Sequence, residues 1–213
     1  MRTGTAKSVR RLAAAVAVAT MVLGVTSRAD AAGIVTHAWM AETAIAHTDA
    51  PDLRALLVAH ADQVRAGAEF PDGGYLAQRL GVAGGGYGEE AHWQRFVDAY
   101  LAQIRNRVDC GLLTDPAGPC AAEVAHLFGV AAHGMGDEVW DWLFEPNAPD
   151  RGESFIPPEL ASIVGPGGIE VQMDVIAIVD HGRPTGPVPP LPNEADVLAA
   201  FASAGLTLSL IHI

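Results

Sequence analysis

The chain has 213 residues, of which 13 are Lys or Arg and 25 are Asp or Glu, giving a formal charge of −12, and half of its residues are apolar. That length accommodates one or two ordinary domains with a real core, and 18% charged residues with positive mean hydropathy exclude a disordered chain. Two cysteines exclude a disulfide-dense scaffold, and the acidic balance excludes a basic nucleic-acid binder.

The amino-terminal segment reads as a secretory signal peptide over residues 1–31. Arg2, Lys7, Arg10 and Arg11 precede an unbroken small-apolar run from Leu12 to Val25, and an A-x-A pattern follows at Ala29-Asp30-Ala31. The run is shorter than the roughly 20 residues a membrane-spanning helix needs, which disfavours the alternative of a membrane anchor. Cleavage after Ala31 would start the mature chain at Ala32 and leave 8 basic and 24 acidic residues, a charge of −16. Export to an extracellular or periplasmic space places the protein where disulfides persist. Cys110 and Cys120, ten apart around a Pro- and Gly-containing turn, are then expected to close a small loop, two buried thiols being the alternative.

The mature part reads as helix after helix. The segments Val35–Ala46 and Asp52–Ala66 carry helical apolar spacing, with Gly67 expected to end the second. Gly81–Gly86 reads as a loop; without a preceding strand or a following Gly-Lys-Ser start it is no phosphate cradle. Glu90–Val108 sets Trp93, Phe96, Val97, Tyr100, Leu101 and Ile104 at three- and four-residue spacing, and Ala121–Phe144 repeats that amphipathic pattern. Ile169–Val179 is apolar enough for a helix or a strand. Arg183–Pro192 is a Pro-rich linker leading to a last helix, Glu194–Ala204. The fold class is all-α, a helical bundle. The last six residues, Leu208–Ile213, match the in-frame translation of a sequencing adaptor, so the natural chain is expected to continue differently after about residue 207.

Chemistry concentrates at a few histidines and acids. His133 and Asp137 lie one turn apart on one helix face among apolar neighbours, and Asp141 continues that face. Polar groups buried there must be paired or coordinated. His37 near the mature terminus, Asp72 within Ala68-Glu69-Phe70-Pro71-Asp72 and His92 within Ala91-His92-Trp93 complete a nitrogen and oxygen donor set that a helical bundle can gather around metal ions.

The order Thr36-His37, Phe70-Pro71-Asp72, His92-Trp93, then Leu127-Phe128-Gly129-Val130 leading into His133-x-x-x-Asp137-x-x-Trp140 resembles the zinc-dependent phospholipase C family, most of all the amino-terminal catalytic domain of GPI-specific phospholipase D. The resemblance spans about residues 32–180. It implies an all-helical domain of the phospholipase C and single-strand nuclease type over residues 32–182, holding two or three Zn2+ ions. It also implies His37, Asp72, His92, His133 and Asp137 as ligands, Asp137 as a bridge between two metals, and the terminal amine as a further donor. Where the family has another histidine after the His-x-x-x-Asp pair this chain has Asp141, so the outer ion would draw on Asp141, Glu170 and Asp174. That all-oxygen set favours a harder ion than zinc or leaves the site empty. A solvated helix face is the alternative for Glu170 and Asp174, and His181 is a lesser substitute ligand.

The resemblance further implies a secreted phosphodiesterase acting on phospholipid or GPI headgroups, with transient membrane contact. In it a metal-activated hydroxide attacks phosphorus, and Asp72 orients or deprotonates the attacking water. The alternatives are a single-strand nuclease of the same fold and a non-catalytic binding module with a degenerate site. The remaining histidines are expected to be structural: His126 in the core or behind the ligands, His47 and His60 on the surface. Trp93, Phe96, Tyr75 and Trp140 divide between an apolar cleft and the core.

Overall fold

A computed structural model describes residues 33–79, 81, 87–140, 143, 169–183 and 187–205, which lie within one compact unit, Ala31–Ile213. The signal-peptide, adaptor-like and most Gly-rich-loop residues, together with Asp141 and the end of the segment read as Ala121–Phe144, lie outside these described residues. Among them the structure is helical and contains no strand, with helices α1 (Ile34–Ala46), α2 (Pro51–Ala59), α3 (Ala61–Arg79), α4 (Tyr87–Ala91), α5 (Gln94–Asn106), α6 (Ala121–Val139), α7 (Ile169–Val179) and α8 (Glu194–Ser203). No described helix is long and apolar enough to cross a membrane. The Ile169–Val179 segment, ambiguous by its apolar run, is a helix.

α3 and α6 form the central pair, with α1 laid against both. Gly67, expected to end a helix, sits instead in the interior of α3, and the helix break falls seven residues earlier at His60. Its role is close approach. A Cβ on Gly67 would stand 2.0 Å from the His126 carbonyl oxygen of α6, and one on Gly129 would stand 2.1 Å from the Val64 carbonyl oxygen of α3. The two backbones touch through a reciprocal glycine pair, which no residue with a side chain can occupy.

α3 also runs on through Pro71-Asp72-Gly73-Gly74, a stretch whose local propensity is that of a turn. Packing overrides propensity here. α4 lies on this segment so closely that a Cβ at Gly88 would meet the Pro71 carbonyl oxygen at 2.8 Å and the Tyr75 nitrogen at 3.0 Å. The stripe expected as one helix, Glu90–Val108, is two: α4 ends at Ala91, the chain turns at His92 and Trp93, and α5 begins at Gln94.

The core divides around the central pair. On one side Phe96, Tyr100 and Ile104 from α5 are fully buried against Val197, Ala200 and Phe201 of α8, and Phe96 stacks on Phe201 with ring centroids 4.2 Å apart. On the other side Ala41, Ile45, Leu56, Leu57, Val64 and Ala125 close α1 and α2 onto α3 and α6. Arg107 ties three helix ends together, bonding to Glu123 at the start of α6, Asp196 at the start of α8 and Asp109. Cys110 and Cys120 form a disulfide across the α5–α6 connection.

His126 is a core residue, 1% exposed, with Phe70 and Tyr100 set edge-on to its ring and no hydrogen-bond partner on either nitrogen. His47 is exposed at the end of α1, whereas His60 is half-buried and donates from Nε2 to the Pro116 carbonyl at 2.8 Å, so the second of these expected surface histidines tethers a corner.

Two predictions follow from this packing. Gly67→Ala or Gly129→Ala will each destabilise by about 3 kcal/mol, because the added carbon meets backbone that cannot swing aside. Gly73→Ala, whose Cβ meets only Tyr87 Oη at 3.3 Å, will cost less than about 1 kcal/mol in the same urea titration. Burial pushes His126 down to about 4 from 6.5. As pH falls through that window the unfolded chain takes up the proton first, so stability present at neutral pH is lost on acidification. Chelator-treated wild type will lose about 2–3 kcal/mol more than His126→Leu between pH 7 and 4.5; parallel pH profiles would contradict this assignment.

Candidate metal centre

Five of the expected ligands meet. His37 comes from the first turns of α1, Asp72 from α3 just past Pro71, His92 from the α4–α5 turn, and His133 and Asp137 from successive turns of α6. The pieces are brought together by the glycine contacts already described. The α3–α6 crossing at Gly67 and Gly129 sets His133, one turn beyond, against the α3 backbone. Gly136 leaves room for the His37 ring, since a Cβ there would stand 3.3 Å from His37 Nδ1. A Cβ at Gly134 would stand 2.7 Å from the His92 carbonyl oxygen, so the α4–α5 turn also rests on α6.

Two rings are held by backbone carbonyls. His92 Nδ1 donates to the Gly88 carbonyl and His133 Nδ1 donates to the Ala68 carbonyl, both at 2.6 Å. With the proton fixed on Nδ1, each neutral ring directs its Nε2 lone pair inward, the arrangement that orients histidine toward a metal. The third ring, His37, stacks on His133 with centroids 3.6 Å apart.

The carboxylates divide their oxygens between two sides. Asp72 Oδ1 lies 3.5 Å from His92 Nε2 and 3.9 Å from His133 Nε2, and Asp137 Oδ2 lies 3.5 Å and 3.2 Å from the same two nitrogens. The other oxygens, Asp72 Oδ2 and Asp137 Oδ1, lie 4.0 Å and 3.1 Å from His37 Nε2. Donor atoms around one tetrahedral zinc, each at 2.0–2.1 Å from it, stand about 3.3 Å from one another. The observed spacings fall around that value and mostly beyond a direct hydrogen bond.

The unmet polar atoms make the same point. His37 Nδ1 and Nε2, His92 Nε2, His133 Nε2 and both Asp137 oxygens are buried without a hydrogen-bond partner, an expensive set to leave unmatched. Protons alone do not resolve it. Burial works against a charged His92, but Asp72, the Gly88 carbonyl and Asp137 raise its pKa overall. At His133 burial and the stacked His37 prevail and lower the pKa, so its Nε2 resists a proton while facing a carboxylate. Burial would raise the Asp137 carboxyl, yet the His133 and His37 rings hold it below the usual carboxylate range, keeping it ionised. A bound cation satisfies nitrogens and oxygens together. The groups His37, Asp72, His133 and His92, His133, Asp137 each bring donor atoms within 4.8 Å of one another and can hold a metal ion.

The outer-site residues do not join them in the same way. Asp174 Oδ1 accepts from the Thr36 amide and the Thr36 hydroxyl, both at 2.8 Å, so this expected ligand is engaged at the start of α1. Glu170 lies in α7, its side chain outside the described residues, as is Asp141 altogether. His181, a lesser expected ligand, is exposed and stacks on Trp39 at 4.1 Å.

Of the four aromatic residues expected at cleft or core, Phe96 and Trp140 are buried. Tyr75 and Trp93 flank the centre, Tyr75 tilted against the His92 ring at 5.3 Å, and both donate to the Glu89 carboxylate, at 2.6 Å and 3.2 Å. Burial and the acids Glu89, Asp72 and Asp137 raise the Tyr75 pKa, so it remains a phenol. Glu89, and the carbonyls of Ala68 and Gly88, were not among the expected participants. A backbone acceptor has no residue-type signature, and Glu89 is one acid of an ordinary Glu-Glu pair.

Comparison with protein-family models, with curated proteins and with solved structures returns no match to this chain.

A divalent cation titrated into chelator-treated protein will raise the melting temperature, by roughly 5–10 °C at a hundredfold excess over its dissociation constant. His133→Ala and Asp137→Asn will abolish most of that rise. An equal rise in these variants would place binding elsewhere.

Proposed function

We propose that the protein is an exported zinc-dependent phosphodiesterase of the phospholipase C type that hydrolyses phospholipid or GPI headgroups. The observation carrying this reading is that the Asp72 and Asp137 oxygens divide between the His92 and His133 nitrogens on one hand and His37 Nε2 on the other, so these five residues would hold more than one cation. Three imidazoles with two carboxylates make a donor set suited to zinc. Zinc bound there supplies Lewis-acid polarisation of a phosphoryl oxygen and a water of lowered pKa.

The chain's own groups define the rest. The His37 and His133 side chains are fully buried, whereas Asp72, Asp137 and His92 are 12%, 14% and 8% exposed, so solvent reaches the two carboxylates and the edge of His92 but not the other two rings. Asp72, whose oxygens stand on the whole farther from the histidine nitrogens than those of Asp137, is the acid assigned to orient the attacking water and take its proton. Beside His92, Tyr75 and Trp93 offer aromatic surface, and Trp93 is half-exposed, a side chain suited to a lipid interface. Anionic substrate must approach an acidic protein, and bound cations supply the offsetting charge. The disulfide is consistent with an oxidising compartment outside the cytoplasm.

Zinc-loaded protein will release headgroups from phosphatidylcholine, inositol phospholipid or a GPI-anchored reporter, lose activity in chelator and recover it with zinc. Asp72→Asn will lower kcat by about 10²–10⁴ while retaining bound zinc in part. Inert zinc-loaded protein across that panel refutes the lipase reading, and cleavage of single-stranded DNA alone assigns the centre to a nuclease.

A further inference from the structure

We propose that Asp174 is a positioning residue that fixes His37 through the backbone of α1, in place of the ligand role expected of it. His92 and His133 are each oriented by a carbonyl on Nδ1, whereas neither ring nitrogen of His37 has a hydrogen-bond partner. The His37 ring is therefore placed by the stack on His133, the 3.1 Å approach of its Nε2 to Asp137 Oδ1, the gap at Gly136 and the backbone beneath it, with no backbone carbonyl holding it.

That backbone is anchored from α7. The first amides of a helix have no acceptor within it, and the residue capping α1, Gly33, has no side chain to supply one. Asp174 supplies it across 138 residues of sequence, taking the Thr36 amide and hydroxyl on Oδ1 and also accepting from the Val35 amide. A carboxylate at this position also meets the positive end of the helix dipole. Gly33 is the space it needs, since a Cβ there would stand 2.4 Å from the Asp174 carboxylate. The clasp continues along the same face of α1, where His181 stacks on Trp39 and Arg183 pairs with Glu42. His37 follows Thr36 directly, so releasing this turn frees the ring least supported by other contacts.

The consequence for metal binding rests on the metal-centre reading; the anchoring of α1 does not, and the two are measured separately. In metal-free protein, Asp174→Ala will shift the nitrogen resonances of the His37 ring and the Thr36 amide while the carbonyl-tethered His92 ring stays in place. Asp174→Asn, which keeps an Oδ1 acceptor, will restore them. In zinc titrations both variants will keep the wild-type stoichiometry at saturation, with affinity weakened about tenfold or more in Asp174→Ala and under about threefold in Asp174→Asn. Loss of one zinc per chain in both variants at saturation makes Asp174 a ligand and overturns the proposal, as does an unmoved His37 ring in Asp174→Ala. Should Asp174→Ala not fold, Thr36→Val removes the hydroxyl bond alone and must move His37 in the same direction by a smaller amount; no movement overturns the proposal. Wild type that takes up no zinc refutes the metal centre, and the metal-free resonances still decide the role of Asp174.

Discussion

The contact between Gly67 and Gly129 is the constraint on which the rest depends. Two helix backbones come together where each would put a Cβ about 2 Å from the other's carbonyl oxygen. From that point the geometry of the centre propagates by single helical turns. His133 lies one turn after Gly129, Ala68 directly after Gly67, and the hydrogen bond between them joins ring to backbone. Asp137 follows one turn further along α6, and Asp72 lies one turn beyond Ala68 on α3. A wider crossing would separate these pairs together, because all of them hang on two rigid helices.

The chemistry of the centre comes from what that crossing excludes. Three imidazoles and two carboxylates sit where little water reaches, and two of the rings, His92 and His133, turn their Nδ1 protons outward to carbonyls and their Nε2 lone pairs inward to carboxylates. Stability alone does not favour such a set, since apolar residues of similar volume would spare the desolvation. Its donor atoms are arranged so that they could hold a cation. The two halves of the fold then serve different ends: the Phe96, Tyr100 and Phe201 cluster anchors α5 and α8, while α1, clasped by α7, brings His37 to the centre.

Helix positions were largely readable where apolar residues recur at three and four, as in α5, where Phe96, Tyr100 and Ile104 are all fully buried. The local pattern misleads where packing overrides a glycine. Gly67 looks like a terminus but lies inside α3, where the α6 backbone occupies the space a side chain would fill, and α3 continues through Pro71-Asp72-Gly73-Gly74 with α4 packed on it through Gly88. Local propensity is a fraction of a kilocalorie to a few kilocalories per residue, and close packing of two helices can exceed it. The turn at His92 and Trp93 carries no local signal, because the apolar periodicity continues across it.

The sequence by itself determined the helical class, the closeness of Cys110 to Cys120, and the choice of His37, Asp72, His92, His133 and Asp137 as residues to watch, because periodicity, loop length and residue type are local properties. Only the tertiary structure decided that these five meet, which oxygen faces which ring, that Ala68 and Gly88 hold two of the rings, and that Asp174 is engaged by Thr36. Those are relations between atoms up to 138 residues apart. They depend on how closely two backbones can approach, a distance set by the absence of a side chain at a few glycines and written in no local pattern.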